Sequence, residues 1–197
     1  MSKPMSVADR VRVQAIQVLS DNWYVLRKAT FDWRRKDGTW QTQEREAYDR
    51  GDGVALLPYN LATRTVILTQ QFRYPVFSNG YDGLLIEVPA GVLDDADPEA
   101  RIRSEVEEEI GYRLGDIRLV FESFMSPGSV TECLHLYVAE YDASMRIGDG
   151  GGLEGEGEEI DVLELAFDEA IAMIGDGRIR DAKTIMLLQH AALTVFA

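Results

Sequence analysis

The sequence predicts an α+β protein in which a small antiparallel β meander over residues 1–50 precedes a larger domain over residues 51–197 that combines a mixed sheet with helices. Three observations predict it. Residues 10–50 alternate apolar and polar side chains in three runs, as strands do when one face meets solvent. From Gly51 the runs become longer and more continuously apolar. Helical stretches then interleave with these strands, which places both kinds of element around one core.

The meander is carried by "VRVQAIQVLS", "NWYVLRKATFDW" and "TWQTQEREAYDR", with a Lys36-Asp37-Gly38 turn between the last two. A meander this small cannot bury both its faces. Trp23, Tyr24, Trp33 and Trp40 make it sticky, so it needs a larger surface to pack on, a partner subunit being one candidate. In the larger domain "GVALLPYN", "TVILTQQFRYP" and "GLLIEVPAG" read as strands, with a helix directly after the last. Further on, "IRLVFESFMS", "ECLHLYVAEY" and the short "VLELAF" are strands, while "FDEAIAMIGDG" and "DAKTIMLLQHAALTVFA" are helices, the last capped by Asp181. Residues 148–161, "GDGGGLEGEGEEID", are rich in glycine and acid and read as a mobile loop.

Composition narrows the functional classes. At 197 residues and 46% hydrophobic content the chain can build one ordinary core plus a small appendage. A formal charge of −14 repels nucleic acid and anionic lipid, so neither is expected as a partner, and a phosphate-bearing ligand needs a metal ion or local arginines. One cysteine, Cys133, excludes an intramolecular disulfide and reads as a buried structural thiol. The N-terminal "MSKPMSVADRVRV" lacks the apolar centre of a signal peptide and no run reaches the length of a membrane span, which predicts a cytoplasmic protein. His135 and His190 sit in apolar runs without ligand-like neighbours and read as core or interface residues.

The chemistry concentrates in "AGVLDDADPEARIRSEVEEEIGY", residues 90–112. Asp97-Pro98-Glu99 is a helix start and Gly111 a helix stop. At 100° per residue, with Ile102 at zero, Val106 falls at about +40° and Ile110 at about +80°, one apolar stripe. Glu109, Glu105 and Glu108 fall at about −20°, −60° and −120°, whereas Glu107 lies near +140° on the other side. Three carboxylates crowded on one arc beside a core stripe oppose stability. Arg101 lies on the same arc as an ordinary ion-pair partner for Glu105. A hard divalent cation such as Mg²⁺ would offset more, because it takes oxygen ligands from one or two carboxylates. Helix geometry alone leaves this reading beside that of a solvated acidic face. The preceding Pro-Ala-Gly turn adds backbone groups that can face the arc.

With these residues in place the chain resembles the Nudix hydrolases, whose box runs G-x5-E-x7-R-E-U-x-E-E-x-G-U with U apolar. Gly91, Glu105, Val106, Glu108, Glu109, Gly111 and Tyr112 match it. The box is one residue short, Asp97 stands near the place of its first glutamate, and Ser104 replaces its arginine, for which Arg101 or Arg103 is the substitute. The short spacing and the ordered series "LSDN", "RKDG", "REAYDRG", "QFR", "MSPGSVTE" and "IRDAKT" resemble the branch that hydrolyses nucleotide sugars.

The resemblance implies an α/β/α sandwich with a mixed sheet after the meander, and a homodimer with exchanged N-terminal regions. It implies Mg²⁺, with Mn²⁺ as the alternative, held by the Ala90 carbonyl, Glu105, Glu109 and a late carboxylate. For the last, Glu158 is preferred to Glu159. Glu108 ligates a second ion or supports the first. Ala90 and Gly91 border the substrate and Arg73 binds phosphate, as its bidentate donors suit. Arg45 and Trp23 reach the base of a substrate held by the other subunit, unless Trp23 is dimer core. Glu132 and Lys183 match substrate contacts, with a capped turn or surface pair as their plainer reading. Glu44 stands where a basic residue is usual, which weakens any guanine preference.

The expected reaction is metal-dependent cleavage of a nucleoside diphosphate sugar, with GDP-mannose favoured. ADP-ribose, cleaved to AMP and ribose 5-phosphate, is the nearest rival substrate. A nucleotide-sugar sensor without turnover has no need of the crowded acidic arc. An acidic scaffold or calcium-binding protein predicts that Glu105→Gln leaves function alone.

Overall fold

The structure, a computed structural model, describes residues 6–93, 96–153, 155 and 157–197. The first five residues of the segment read for a leader, and residues 154 and 156 of the acidic loop, lie outside these. The chain divides into two compact units, one reaching to Gly51 and including Ser126–Glu132, the other Asp52–Met125 with Cys133–Ala197.

The first unit is an antiparallel sheet of β1 (Val11–Asp21), β2 (Val25–Arg34) and β3 (Trp40–Asp49), in the order β1-β2-β3. The Arg35–Thr39 turn is closed by the Gly38 N–H on the Arg35 carbonyl (3.1 Å), while the Asp37 side chain accepts from the Thr39 N–H (3.0 Å). Arg10 and Arg12 lie over the rings of Trp33 and Trp40, at 4.1 and 3.9 Å. None of the described residues of these strands is fully buried, as expected for a sheet too small to cover itself. The Ser126–Glu132 segment joins this unit at Tyr48, whose N–H donates to the Ser129 carbonyl (2.8 Å).

The second unit is built on a mixed sheet in the order β10-β5-β4-β9-β8, from β4 (Gly53–Asn60), β5 (Thr65–Gln71), β8 (Ile117–Phe124), β9 (Cys133–Glu140) and β10 (Asp161–Ala166). The β4–β9 pair is parallel and the rest antiparallel. The two-residue period of β4 sets the layers. Val54 and Leu56 enter one core with Ile102, Val106 and Ile110 of α2 (Pro98–Ile110). Ala55 and Leu57 enter the other with α3 (Phe167–Gly175) and α4 (Ala182–Thr194), through Phe167, Leu187 and Leu188. Helices therefore cover both faces, the three-layer α+β arrangement that was expected. Among the described residues no helix is long and apolar enough to cross a membrane.

Three local expectations are corrected. The run "GLLIEVPAG" is two short strands, β6 (Leu85–Glu87) on β5 and β7 (Ala90–Val92) on β4. Pro89 has no N–H to continue a ladder, and its carbonyl accepts from the Leu56 N–H (3.0 Å) instead. After β5 the chain turns into a short helix, α1 (Tyr74–Ser78), with Pro75 in its first turn, where strand was expected. Cys133 is free and only partly buried, at the start of β9, with burial as the main cause that raises its pKa.

Candidate active site

Helix α2 starts where the Asp97 carboxylate accepts from the Glu99 and Ala100 N–H groups (both 3.1 Å), and ends at Gly111 in the left-handed conformation (φ 73°). Ile102, Val106 and Ile110 face the core, and this carries Glu105 and Glu109 inward with them, to 5% and 1% exposure. Glu107 is turned outward and forks onto Arg113 (2.8 and 3.0 Å). The helical arc read from the sequence is thus present, but two of its carboxylates are buried.

Each has a local partner. Glu105 pairs with Arg101, whose Nε also donates to the Val92 carbonyl (3.1 Å), while Arg103, the other arginine considered for the missing box position, turns to Glu99 and the Leu114 carbonyl. The Glu105 side chain lies directly against Gly91, where a Cβ would overlap it and displace its carboxylate. Glu109 Oε2 accepts from the Ala90 N–H (3.1 Å), and Ser104 donates to Glu108 (2.6 Å). Burial, then the charge of Glu105, pushes the Glu109 carboxyl up to about 8, with the Ala90 N–H acting against this, Glu158 adding to it and Arg73 opposing it.

The start of the glycine-rich segment, read from the sequence as part of a mobile loop, is docked on the end of α2. Ile147 and Gly148 N–H groups donate to the Gly111 carbonyl (2.8 and 3.2 Å), Gly151 to Glu109 (2.9 Å) and Gly152 to Glu108 (3.1 Å). These are the carbonyls that a helix end leaves without internal partners. The docking brings Glu158 beside Gly152, with its carboxylate accepting from the Leu153 N–H (3.0 Å). Glu158 lies near enough for its charge to act on both Glu109 and Arg73.

A second, cationic group adjoins the first. Arg73, just after β5, donates from Nε to Glu87 (2.7 Å), and Lys183, in the first turn of α4, donates to the other oxygen of the same carboxylate (2.5 Å). Lys183 also pairs with Asp181 (3.0 Å), which caps α4 through the Thr184 N–H (2.9 Å). Burial alone would raise Glu87, but Lys183 and then Arg73 hold its carboxyl below the usual range. Burial likewise acts against the Lys183 charge, and Glu87 and Asp181 overcome it. Glu87 was not among the residues singled out from the sequence. Its signal was a lone acid inside the apolar run "LLIEV".

The remaining expected contacts belong to the first unit. Trp23, in the β1–β2 connection, is 86% exposed and edge-on to Tyr24. Arg45 is exposed on β3 and donates to the Glu44 carbonyl (2.7 Å), while the Glu44 side chain pairs with Lys28 (2.8 Å). Glu132 faces Arg50 (3.3 Å). In the second unit His135 faces Glu122 (3.4 Å) and His190 stacks edge-on with Phe121.

The donor set suits a hard divalent cation: buried oxygen ligands, where burial first and the neighbouring Glu105 charge second favour a proton on Glu109, a cost that a bound cation would offset. Among the described residues no three His, Cys, Asp or Glu side chains already converge on one ion position. Their present partners account for that, since Glu105 turns to Arg101, Glu108 to Ser104, Glu109 to Ala90 and Glu158 to Leu153.

Comparison with known proteins gives two family matches. Residues 10–48 match the GDP-mannose pyrophosphatase NudK N-terminal domain, and residues 49–188 match the NUDIX domain. The chain is 53% identical over 194 residues to the GDP-mannose pyrophosphatase of Pectobacterium atrosepticum, covering 98% of this chain and 96% of that protein. It is 51% identical to the GDP-mannose pyrophosphatase of Cronobacter sakazakii, over 90% and 92% of the two chains. With that of Klebsiella pneumoniae subsp. pneumoniae the identity is 49%, over 88% and 87%.

Proposed function

Because the chain belongs to the NUDIX family, we propose that it is a pyrophosphatase that uses water to split GDP-mannose into GMP and mannose 1-phosphate, with Mg²⁺ as its ion and Mn²⁺ as a substitute. The observation that carries this reading is the juxtaposition of two buried glutamates, Glu105 and Glu109, with a cationic pair, Arg73 and Lys183.

These positions support the following roles. Glu105 and Glu109, with the Ala90 backbone and Glu158, would hold the cation, and Glu108 supports them. When bound, the cation neutralises charge on the diphosphate and acidifies the attacking water. Glu158 orients that water and accepts its proton as the new phosphorus–oxygen bond forms and the bridging bond breaks. Arg73 and Lys183 bind the phosphoryl oxygens, and Gly91 keeps the approach to Glu105 open. No covalent intermediate is needed.

Residues 1–50 serve as the region for dimerisation and base recognition, with Trp23 stacking on the base and Arg45 contacting substrate, while residues 51–197 carry the chemistry and add Glu132 as a substrate contact. The exposed apolar side chains of β1, Val13, Ile16 and Val18, support a homodimer. A cytoplasmic location fits a nucleotide-sugar substrate.

The test is phosphorus NMR of the products formed with Mg²⁺ from GDP-mannose and from ADP-ribose in separate reactions. GMP and mannose 1-phosphate formed faster is the expected result. Faster release of AMP and ribose 5-phosphate would keep the chemistry and reassign the substrate. Failure to cleave either would overturn the pyrophosphatase reading and favour a sensor.

A further inference from the structure

We propose that Glu87 is a positioning residue of the site: one buried carboxylate that fixes Arg73 and Lys183 at a set separation and leaves their remaining donors free for the two phosphoryl groups of a diphosphate. The inference rests on the pyrophosphatase reading and adds a residue to it.

The geometry is specific. Arg73 uses its Nε on one Glu87 oxygen, and among the described residues neither of its Nη groups donates to protein. That leaves the planar fork of the guanidinium available for phosphate oxygens. Lys183 spends one N–H on the other Glu87 oxygen and one on Asp181, which leaves a third. Both cations are therefore held through part of their donor set and keep further donors unspent.

Glu87 is itself immobilised. Its carbonyl accepts from Thr69 Oγ1 (3.2 Å) on β5, the strand that leads to Arg73. The next residue, Val88, donates its N–H to Thr184 Oγ1 (2.8 Å), beside Lys183 in the first turn of α4. Thr184 Oγ1 in turn donates to Asp181 (2.6 Å). The peptide that joins Glu87 to Val88 is thus tied through its carbonyl to β5 and through its N–H to α4, the two elements that deliver the cations.

Stability is a weak explanation of the arrangement, because apolar residues of the same volume often serve folding as well as a buried ionic group. Positioning is a stronger one. A flexible arginine and a flexible lysine lose rotamer freedom on binding substrate unless that freedom has already been removed.

The proposal is tested by the effect of Arg73→Gln in two backgrounds, wild type and Glu87→Gln, on kcat/KM for GDP-mannose with Mg²⁺. If Glu87 acts through Arg73, losing Arg73 lowers kcat/KM roughly a hundredfold in the wild type and less than about tenfold in the Glu87→Gln background. A purely structural role would leave the factor the same in both, since loss of folded protein cannot change it, and that result overturns the proposal. Glu87→Asp keeps the charge but is one methylene shorter, and provides the same cycle if Glu87→Gln does not fold. If the wild type cleaves no GDP-mannose, the pyrophosphatase reading fails on its own. The cycle is then read by calorimetry with inorganic pyrophosphate: a weaker dependence on Arg73 in the Glu87 variant upholds positioning, and an equal dependence overturns it.

Discussion

Glu109 joins burial, charge and function at one residue. Its carboxyl is raised to about 8 from an ordinary 4.5, so the folded protein holds a proton there that the unfolded chain releases. Between these values the folded state binds more protons, and the stability that this group contributes is lost as pH rises through about 8. Glu109→Gln removes that dependence. Melting of metal-free protein from pH 5 to 8.5 is expected to fall more steeply for wild type than for this variant, and the stabilisation by added Mg²⁺ to grow with pH only in the wild type. The same variant is expected to lose roughly a hundredfold or more in kcat. Gly91→Ala tests the neighbouring contact. A methyl there displaces the Glu105 carboxylate, so activity should drop at least about tenfold and need more Mg²⁺ for saturation, as read by a metal titration of the rate. At this scale the helical period made Glu105, Glu108 and Glu109 legible as one arc and set Glu107 apart. Glu87 was not legible as a partner, because its cations lie 14 and 96 residues away in the chain.

At the scale of elements, helix α2 and the glycine-rich segment behave as one piece. The caps at Asp97 and Gly111 were readable because each is a local property of residue type. The docking of residues 147–152 was not: their composition reads as mobile, and the helix-end carbonyls that order them become visible only once α2 exists. Gly111→Ala probes both features, since the residue is left-handed and a Cβ would press on the Gly148 carbonyl. A destabilisation of about 1–3 kcal/mol is expected by thermal or denaturant unfolding. Cleavage near residues 148–153 in limited proteolysis should rise with it, and an unchanged cleavage pattern would separate the two elements. The break of "GLLIEVPAG" into β6 and β7 has a similar origin. Pro89 announces an interruption, but which neighbours the two pieces choose depends on the whole sheet.

For the whole molecule, the open question is what covers the N-terminal sheet. Val13 and Ile16 are 60% and 63% exposed on β1, a larger apolar surface than three strands tolerate in water. If a second copy covers it, light scattering after gel filtration will report a dimer, and Ile16→Lys with Val18→Lys will shift it to a monomer. A wild-type monomer would remove the dimer from the proposed function without touching the chemistry of the second unit. By itself the sequence determined the meander, most strands and helices of the second unit, the caps of α2 and the acidic arc, because each depends on periodicity or on residue types a few positions apart. Only the tertiary structure decided that Glu105 and Glu109 are buried, that the glycine-rich segment closes the helix end, and that Arg73, Glu87 and Lys183 meet. Those outcomes depend on which strands pair and which helix covers which face, so segments far apart in the chain must come together before the burial and the charge pairing exist.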